Sequence, residues 1–255
     1  ARRPDAGRDR ESIRHAFRAR RQSLLVAQIA LSVTLLISIG LVATALHRAT
    51  SADLGFSAQG ISVTGLSLRE QTGTITGHEY VRQLMHNLAA LPGIQSVAST
   101  SRAPFQRGFY RATFTVSDAA EEHGKELQYV AVSAEFFQTL QTRMLRGRAF
   151  AETDISTSPK VAILNQSAAG LLFGYADGLY RQLKTNLGAG EATMQVVGVV
   201  ADIRQDPTTI VSPPIVYLPL AQAPMYSISL VVRAGAPVGN EAIKARIWQI
   251  NANQA

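Results

Sequence analysis

"TGHEYVRQLMHNLAALPGIQSVAST" (residues 76–100) decides the fold. Thr76 followed three residues later by Glu79 fits a capping box, in which each side chain takes up a backbone N–H left free at a helix start. Val81, Leu84, Met85 and Leu88 then recur at helical spacing and form one apolar stripe. Pro92-Gly93 ends the helix, because proline lacks an N–H and glycine accepts positive φ. "IQSVAST" (94–100) reads as the strand that follows. Upstream, Ile61 and Val63 alternate, and the parity shifts at Gly65 to Leu66 and Leu68, which predicts a strand with a bulge at the glycine. The unit is strand–helix–strand.

The far end of the chain has a matching shape. In "SISLVVRAG" (227–235), Ile228, Leu230 and Val232 alternate with Ser229, Val231 and Arg233, as in a strand with one buried face. "VGNEAIKARIWQI" (238–250) places Ile243, Ile247 and Ile250 on one helical face, with Asn240 as its cap. The two ends read β-α-β…β-α. A ferredoxin-like split βαβ unit needs one further strand, expected just past Ala255.

Residues 103–225 read as an insertion with its own strands. "LQYVAVS" (127–133) leads into the short helix "AEFFQTL"; "KVAIL" (160–164) leads into "NQSAAGLLFG", with Asn165 as cap. "MQVVGVVADI" (194–203) is a near-continuous apolar run, and "PIVYLPL" (214–220) holds strand residues between prolines. Short mixed elements without a repeat period make the fold class α+β.

"RARRQSLLVAQIALSVTLLISIGLVATALHR" (18–48) carries no charge from Leu24 to Leu46. Twenty-three helical residues at ~1.5 Å each reach about 34 Å, slightly more than a ~30 Å hydrocarbon core. "ATA" (43–45) mimics a signal-peptidase site, but the basic region before the span is too long for an ordinary signal peptide. Residues 1–23 hold eight arginines against Asp5, Asp9 and Glu11, while the rest of the chain is nearly neutral despite a formal net charge of +7. A nucleic-acid binder spreads basic charge over its folded part. Here the charge sits beside the span, where it sets topology, so the N-terminus is expected in the cytoplasm and residues 49–255 outside it. Arg10, Arg14, Arg18 and Arg21, with Arg20, form a basic amphipathic helix on the inner leaflet and its lipids. Within the span, Gln28, Ser32, Gly40 and Thr44 share a face. Small and hydrogen-bonding side chains let helices approach in lipid, so this face is expected to pack on other helices; the bland alternative is Ser and Thr hydroxyls bonding back to their own helix.

Catalytic patterns are missing from the sequence. There is no cysteine, P-loop, G-x-S-x-G or H-E-x-x-H motif. "GAGEAT" (188–193) reads as a turn before a strand, and His78, Arg82 and His86 as a surface helix face. Glu121-Glu122, Glu152/Asp154 and Asp202/Asp206 read as solvated loop carboxylates, and "RMLRGRAF" (143–150, with Arg143, Arg146 and Arg148 around Gly147) as a turn with exposed arginines.

Several stretches together are similar to one family. "RRQSLLVAQIALSVTLLISIGL" followed by "ADLGF" resembles the opening helix of an ABC-transporter permease of the MacB/FtsX-like type. "LMHNLAALPGIQSVAST", "VSAEFFQTLQTRMLRGRAFAETD", "VAILNQSAAGLLFG", "VVGVVADIRQ", "IVYLPLAQ" and "SLVVRAG" resemble, in order, landmarks of that family's periplasmic core domain. "GYADGLYRQL" departs from the usual turn: Asp177 is kept and the proline is not. The resemblance implies a domain plan of a cytoplasmic arm (1–23), a transmembrane helix (24–46), a porter-type subdomain (47–102 and 226–255) and an inserted α+β subdomain (103–225), in a piece of a longer permease with three more helices. It implies a non-enzymatic subunit of the bacterial inner membrane that couples ATP hydrolysis by a separate cytoplasmic ABC ATPase to movement of the periplasmic domain, for efflux or extraction. ATP would be bound by that partner, with no cofactor, metal or catalytic residue here. Further partners implied are other permease helices or a second permease unit, and a periplasmic adaptor. The alternative is a single-anchor extracytoplasmic sensor domain of a signalling receptor.

Overall fold

The computed structural model describes residues 25–46, 54–67, 77–106, 108–117, 124–174, 177–187, 190–205, 212–223, 225 and 227–235. They form two units, one within residues 1–52 and one within residues 53–255.

The first unit is helix α1 (Leu25–Leu46), 22 residues with a mean hydropathy of 2.4 over its most apolar stretch, long and apolar enough to cross a membrane. Leu, Ile and Val line α1 all round and are exposed. A helix apolar on every side suits an apolar solvent.

The second unit runs β1 (Ile61–Ser67), α2 (Gly77–Ala89), β2 (Ile94–Thr100), β3 (Tyr110–Val116), β4 (Lys125–Val132), α3 (Phe136–Leu140), β5 (Met144–Gly147), β6 (Val161–Asn165), α4 (Gln166–Phe173), β7 (Gln182–Asn186), β8 (Glu191–Val200), β9 (Ile215–Pro219) and β10 (Ser227–Ala234). The predicted helix at 240–250 and the strand past Ala255 lie outside the described residues, as does Thr76 of the predicted capping box.

All ten strands belong to one sheet. At one end lie β1, β10 and β2, each pair antiparallel. This neighbour order is the one a split βαβ unit requires of its first, third and second strands. The α2 stripe covers this part: Val81, Leu84 and Leu88 pack with Val97, Ile228, Leu230 and Val232. The predicted bulge at Gly65 is absent. The β1–β10 register runs unbroken from Ile61↔Arg233 to Ser67↔Ser227. The parity of the apolar residues changes because Val63 faces outward, 36% exposed, while Leu66 is buried. The break falls instead between β10 and β2, at Arg233/Ala234.

The other six long strands close on themselves. β4 pairs β3, β3 pairs β7, β7 pairs β8, β8 pairs β6, β6 pairs β9, and β9 returns in parallel to β4. One apolar cluster draws from every strand of this ring: Phe114, Leu127, Leu164, Leu183, Met194, Val196, Val216 and Leu218 fill its inside, as side chains do in small barrels. Helix α4 closes one end with Ala168. Alternate residues on β6 and β9 face out, where Val161, Ile163, Ile215 and Tyr217 pack with Phe136, Phe137 and Leu140 of α3. Burial on both faces explains why β8 and β9 read as continuous apolar runs rather than alternating ones. A bulge at Ala162/Ile163 against β8 accommodates the extra valine of "VVGVV".

Ring and three-stranded part share the sheet through a single pairing, Thr100↔Val132. "RMLRGRAF" is not a plain turn. Its first half is β5, paired to β8, and Gly147 sits at φ +71, where a Cβ would strike the Val197 carbonyl. Two of its three arginines meet acids: Arg146 pairs Asp177 at 2.8 Å, and Arg148 grips Asp154 through two bonds of 2.8 and 3.0 Å.

Candidate functional site

Residues 54–60 lead into β1 and are bonded to three separate elements before the strand begins. The Leu54 carbonyl accepts the Arg204 N–H at 3.0 Å. Gly55 follows at φ +74, and a Cβ there would collide with the Asp202 carbonyl, so glycine is required by both conformation and space. Phe56 packs into the α3 cluster and sets its ring 5.9 Å from that of Phe105. The Ser57 N–H donates to the Leu140 carbonyl at 2.9 Å, and the Gly60 carbonyl accepts from Ala234 at 2.9 Å.

Arg233 of β10 fastens this lead-in from beneath. The side chain is only 6% exposed. Nε donates to the Thr139 carbonyl at 2.6 Å, Nη1 to the Gln59 carbonyl at 2.7 Å, and Nη2 to the Ser57 carbonyl at 2.6 Å. Thr139 lies in the last turn of α3, whose final carbonyls have no partner further along the helix and carry partial negative charge. One guanidinium therefore joins strand, helix end and lead-in, using its planar fork of donors. Burial pulls its pKa below the ordinary arginine value. An isolated buried charge is costly, and here the three carbonyl dipoles replace its lost water.

A second junction holds α4. The Asn165 Oδ1 accepts from Ala168 at 2.9 Å, as the expected cap, and also from Ile215 at 2.8 Å; its Nδ2 donates to the Pro213 carbonyl at 2.8 Å. Asp202 accepts the Ser167 N–H at 3.0 Å and its hydroxyl at 2.7 Å. Asp202 is thus a helix-binding carboxylate rather than a solvated one, and its carbonyl lies against Gly55. Neighbouring Tyr217 is fully buried; that burial pushes its hydroxyl pKa well up, and the Asp202 charge adds to it. Asp154 is likewise buried, not loop-solvated. Burial raises its pKa, but Arg148 and the Ala151 N–H outweigh this and hold it below the ordinary 3.8.

The predicted helix-packing residues Gln28, Ser32, Gly40 and Thr44 all lie on α1 and are exposed. Ser32 donates to the Gln28 carbonyl at 2.8 Å, Thr34 to Ala30 at 2.9 Å, Ser38 to Thr34 at 2.8 Å, and Thr44 to Gly40 at 2.7 Å. The hydroxyls thus bond within their own helix. Arg10, Arg14, Arg18, Arg20 and Arg21 lie outside the described residues. On α2, Arg82 binds Glu79 through two bonds of 2.7 and 3.0 Å. Among the described residues no group of three His, Asp or Glu side chains is placed to hold a metal ion. Sequence reading missed Arg233, because strict alternation put it outside. The signal was available: Val231, next to Val232, makes both faces of β10 apolar.

The model of the MacB-like periplasmic core domain matches residues 23–250. The chain belongs to that family. Such domains are components of ABC-type transporter permeases. One solved structure shares the fold. The periplasmic region of MacB from Actinobacillus actinomycetemcomitans matches with a TM-score of 0.54 at 16% identity, over 80% of this chain and 90% of that one. The extracellular domain of the noncanonic ABC-type transporter YknZ from Gram-positive bacteria gives 0.45 at 14% identity, over 72% and 88%. A domain of a permease protein from Porphyromonas gingivalis gives 0.46 at 13% identity, over 66% and 73%. No curated protein matches the chain.

Proposed function

We propose that this MacB-like chain is a membrane helix and the extracytoplasmic head of a permease subunit in an ABC-type efflux or mechanotransmission transporter. A separate cytoplasmic ATPase binds and hydrolyses ATP, and this chain performs no catalysis and holds no cofactor or metal. α1 crosses the bacterial inner membrane with the arginine-rich arm in the cytoplasm against anionic lipid, and residues 47–255 lie in the periplasm. Gln28 and the glycine and hydroxyl residues on its face meet other permease helices or a second permease unit. With the hydroxyls satisfied by their own backbone, the Gln28 amide is the group that most needs an interhelical partner. A periplasmic adaptor completes the assembly.

One observation carries this reading: the segment that enters the head is fastened at Leu54, Ser57, Gln59 and Gly60 to the sheet and to the end of α3. A flexible tether serves an anchored sensor well enough, whereas a bonded lead-in passes displacement on to the head. The sequence has no cysteine, so single introduced thiols report their side of the membrane without background. Tyr180→Cys, at a site 65% exposed, is expected to react with a membrane-impermeant maleimide added outside, and Ala6→Cys only after permeabilisation. Reaction of Ala6→Cys from outside, or failure of the full-length protein to co-purify with an ATPase, refutes the assignment.

A further inference from the structure

Beyond the junction with β4, the edge of β2 opens into a groove of about 730 Å3 between α2 and α3, with Phe150–Ile155 as the far wall. Helix α2 covers one face of β2 through Val97, and α3 covers the other through Ala98. The volume falls within the ~300–1,000 Å3 of ordinary ligand sites. Its floor is a strand edge. β2 pairs with β10 from Ile94 to Thr100, but with β4 at Thr100 alone. The Ser99 carbonyl accepts the Ser133 N–H at 2.8 Å, and the Ser99 N–H donates to the Ser133 hydroxyl at 3.1 Å, which fixes the side toward which Ser99 points its backbone. A strand repeats every two residues, so the N–H and C=O of Val97 point the same way, into the groove, where no described strand follows. The Ser99 hydroxyl is fully buried at this spot and has no hydrogen-bond partner.

Proteins usually blunt such edges with lysine, proline or an inward charge. "IQSVAST" has none of these. The walls have a sign: Glu79, Glu135, Glu152 and Asp154 line the groove against Arg82 as the one arginine. Glu79 is held by Arg82 and Asp154 by Arg148. Glu79 raises the Arg82 pKa most, and Glu152 lies close enough to Arg82 to add to that rise but closes no ion pair with it; Glu135 has no ion pair among the described residues.

We propose that this groove receives an extended polypeptide segment of a second protein, carrying basic side chains, which adds to β2 as a strand. Main-chain hydrogen bonds to the Val97 edge supply the attachment, as in other strand-addition complexes, and Glu135 and Glu152 select for lysine or arginine. The inference stands on the groove alone; binding is read without any ATPase, so its failure leaves the transport reading intact.

The test uses the full chain in detergent micelles and fluorescein-labelled heptapeptides of alternating valine and threonine, with two threonines replaced by lysine or by glutamate. The lysine peptide is expected to bind at least tenfold tighter than the glutamate peptide. The double variant Glu135→Gln/Glu152→Gln, which keeps side-chain volume and removes no cap bond because the Glu135 side chain makes none at the start of α3, reduces that preference to about threefold or less. N-methylation of alternate peptide amides weakens binding at least tenfold in one register and little in the other. At saturation the Val97 amide exchanges with solvent at least tenfold more slowly, while Ala98, already paired to β10, is unchanged. Absence of binding, equal binding of both methylated registers, unchanged Val97 exchange, or self-association of the chain through this edge each overturns the proposal.

Discussion

The six-stranded ring and the three-stranded part are made of the same kinds of residue but hold together differently. In the ring each strand has a neighbour on both sides, and one cluster fed by all six strands fills the interior. In the three-stranded part β1 has a described partner on one side only, and β2 meets the ring at one residue. This part depends on α2 above, on α3 below, and on the Arg233 fastening of the lead-in. Closure gives a self-sufficient body, while open edges give a body whose shape depends on what is attached to it. The latter suits the end that receives the chain from α1.

This contrast sets an order of expected effects. The largest belongs to the ring interior. Phe114→Ala, at a residue with 0% exposure, is expected to destabilise the head by about 4 kcal/mol, as for other buried aromatics, and to open all six strands together in hydrogen exchange. Loss confined to β3 would mean the ring is not one cooperative body.

Next comes Arg233→Met. The buried Thr139 carbonyl and the less buried Ser57 and Gln59 carbonyls lose a charged donor, which costs about 3 kcal/mol by the usual worth of hydrogen bonds to a charged group. The effect should be local: the Ser57 amide exchanges much faster, while Leu183 and Val196 in the ring keep their protection. Equal loosening of both regions would remove the distinction drawn here. Asn165→Ala follows, at about 2 kcal/mol for a helix cap that also holds two strand-end groups, measured as a shift in denaturation midpoint that leaves Ser57 exchange untouched.

The smallest effect is a pH dependence. Asp154 has its folded pKa below 3.8, so its pairing with Arg148 stabilises the fold above that value, and the contribution is lost as pH falls through the folded pKa. Arg148 is half exposed, so solvent screening limits the contribution to about 1 kcal/mol or less. Asp154→Asn is expected to flatten the acid limb of a stability–pH curve below pH ~4 and to leave neutral-pH behaviour of the three-stranded part unchanged.

The sequence made α2, β2, β4, β6, α4, β8 and β9 legible because each has either a clear period or a dense apolar run of its own. Asn165 was legible as a cap because the requirement is local. β3, β5 and β7 were not. In "QLKTN" only Leu183 and Thr185 are buried, and they matter through a ring that closes over seventy residues of chain. In "MLRG" the strand is four residues long and carries two polar or flexible positions. The site was less legible than the fold for the same reason. Arg233 finds its partners at Ser57 and Gln59, more than 170 positions away, and the open edge of β2 exists only because β4 turns into α3 after Val132. Local pattern carries neither fact.

The most direct measurement is ATP-driven transport by the complete permease with its ATPase, comparing wild type with Arg233→Met at a temperature where the head stays folded. A fastened lead-in predicts that ATP hydrolysis continues while transport falls at least tenfold. Transport that keeps pace with hydrolysis, despite a freely exchanging Ser57 amide, would show that displacement reaches the head by another route.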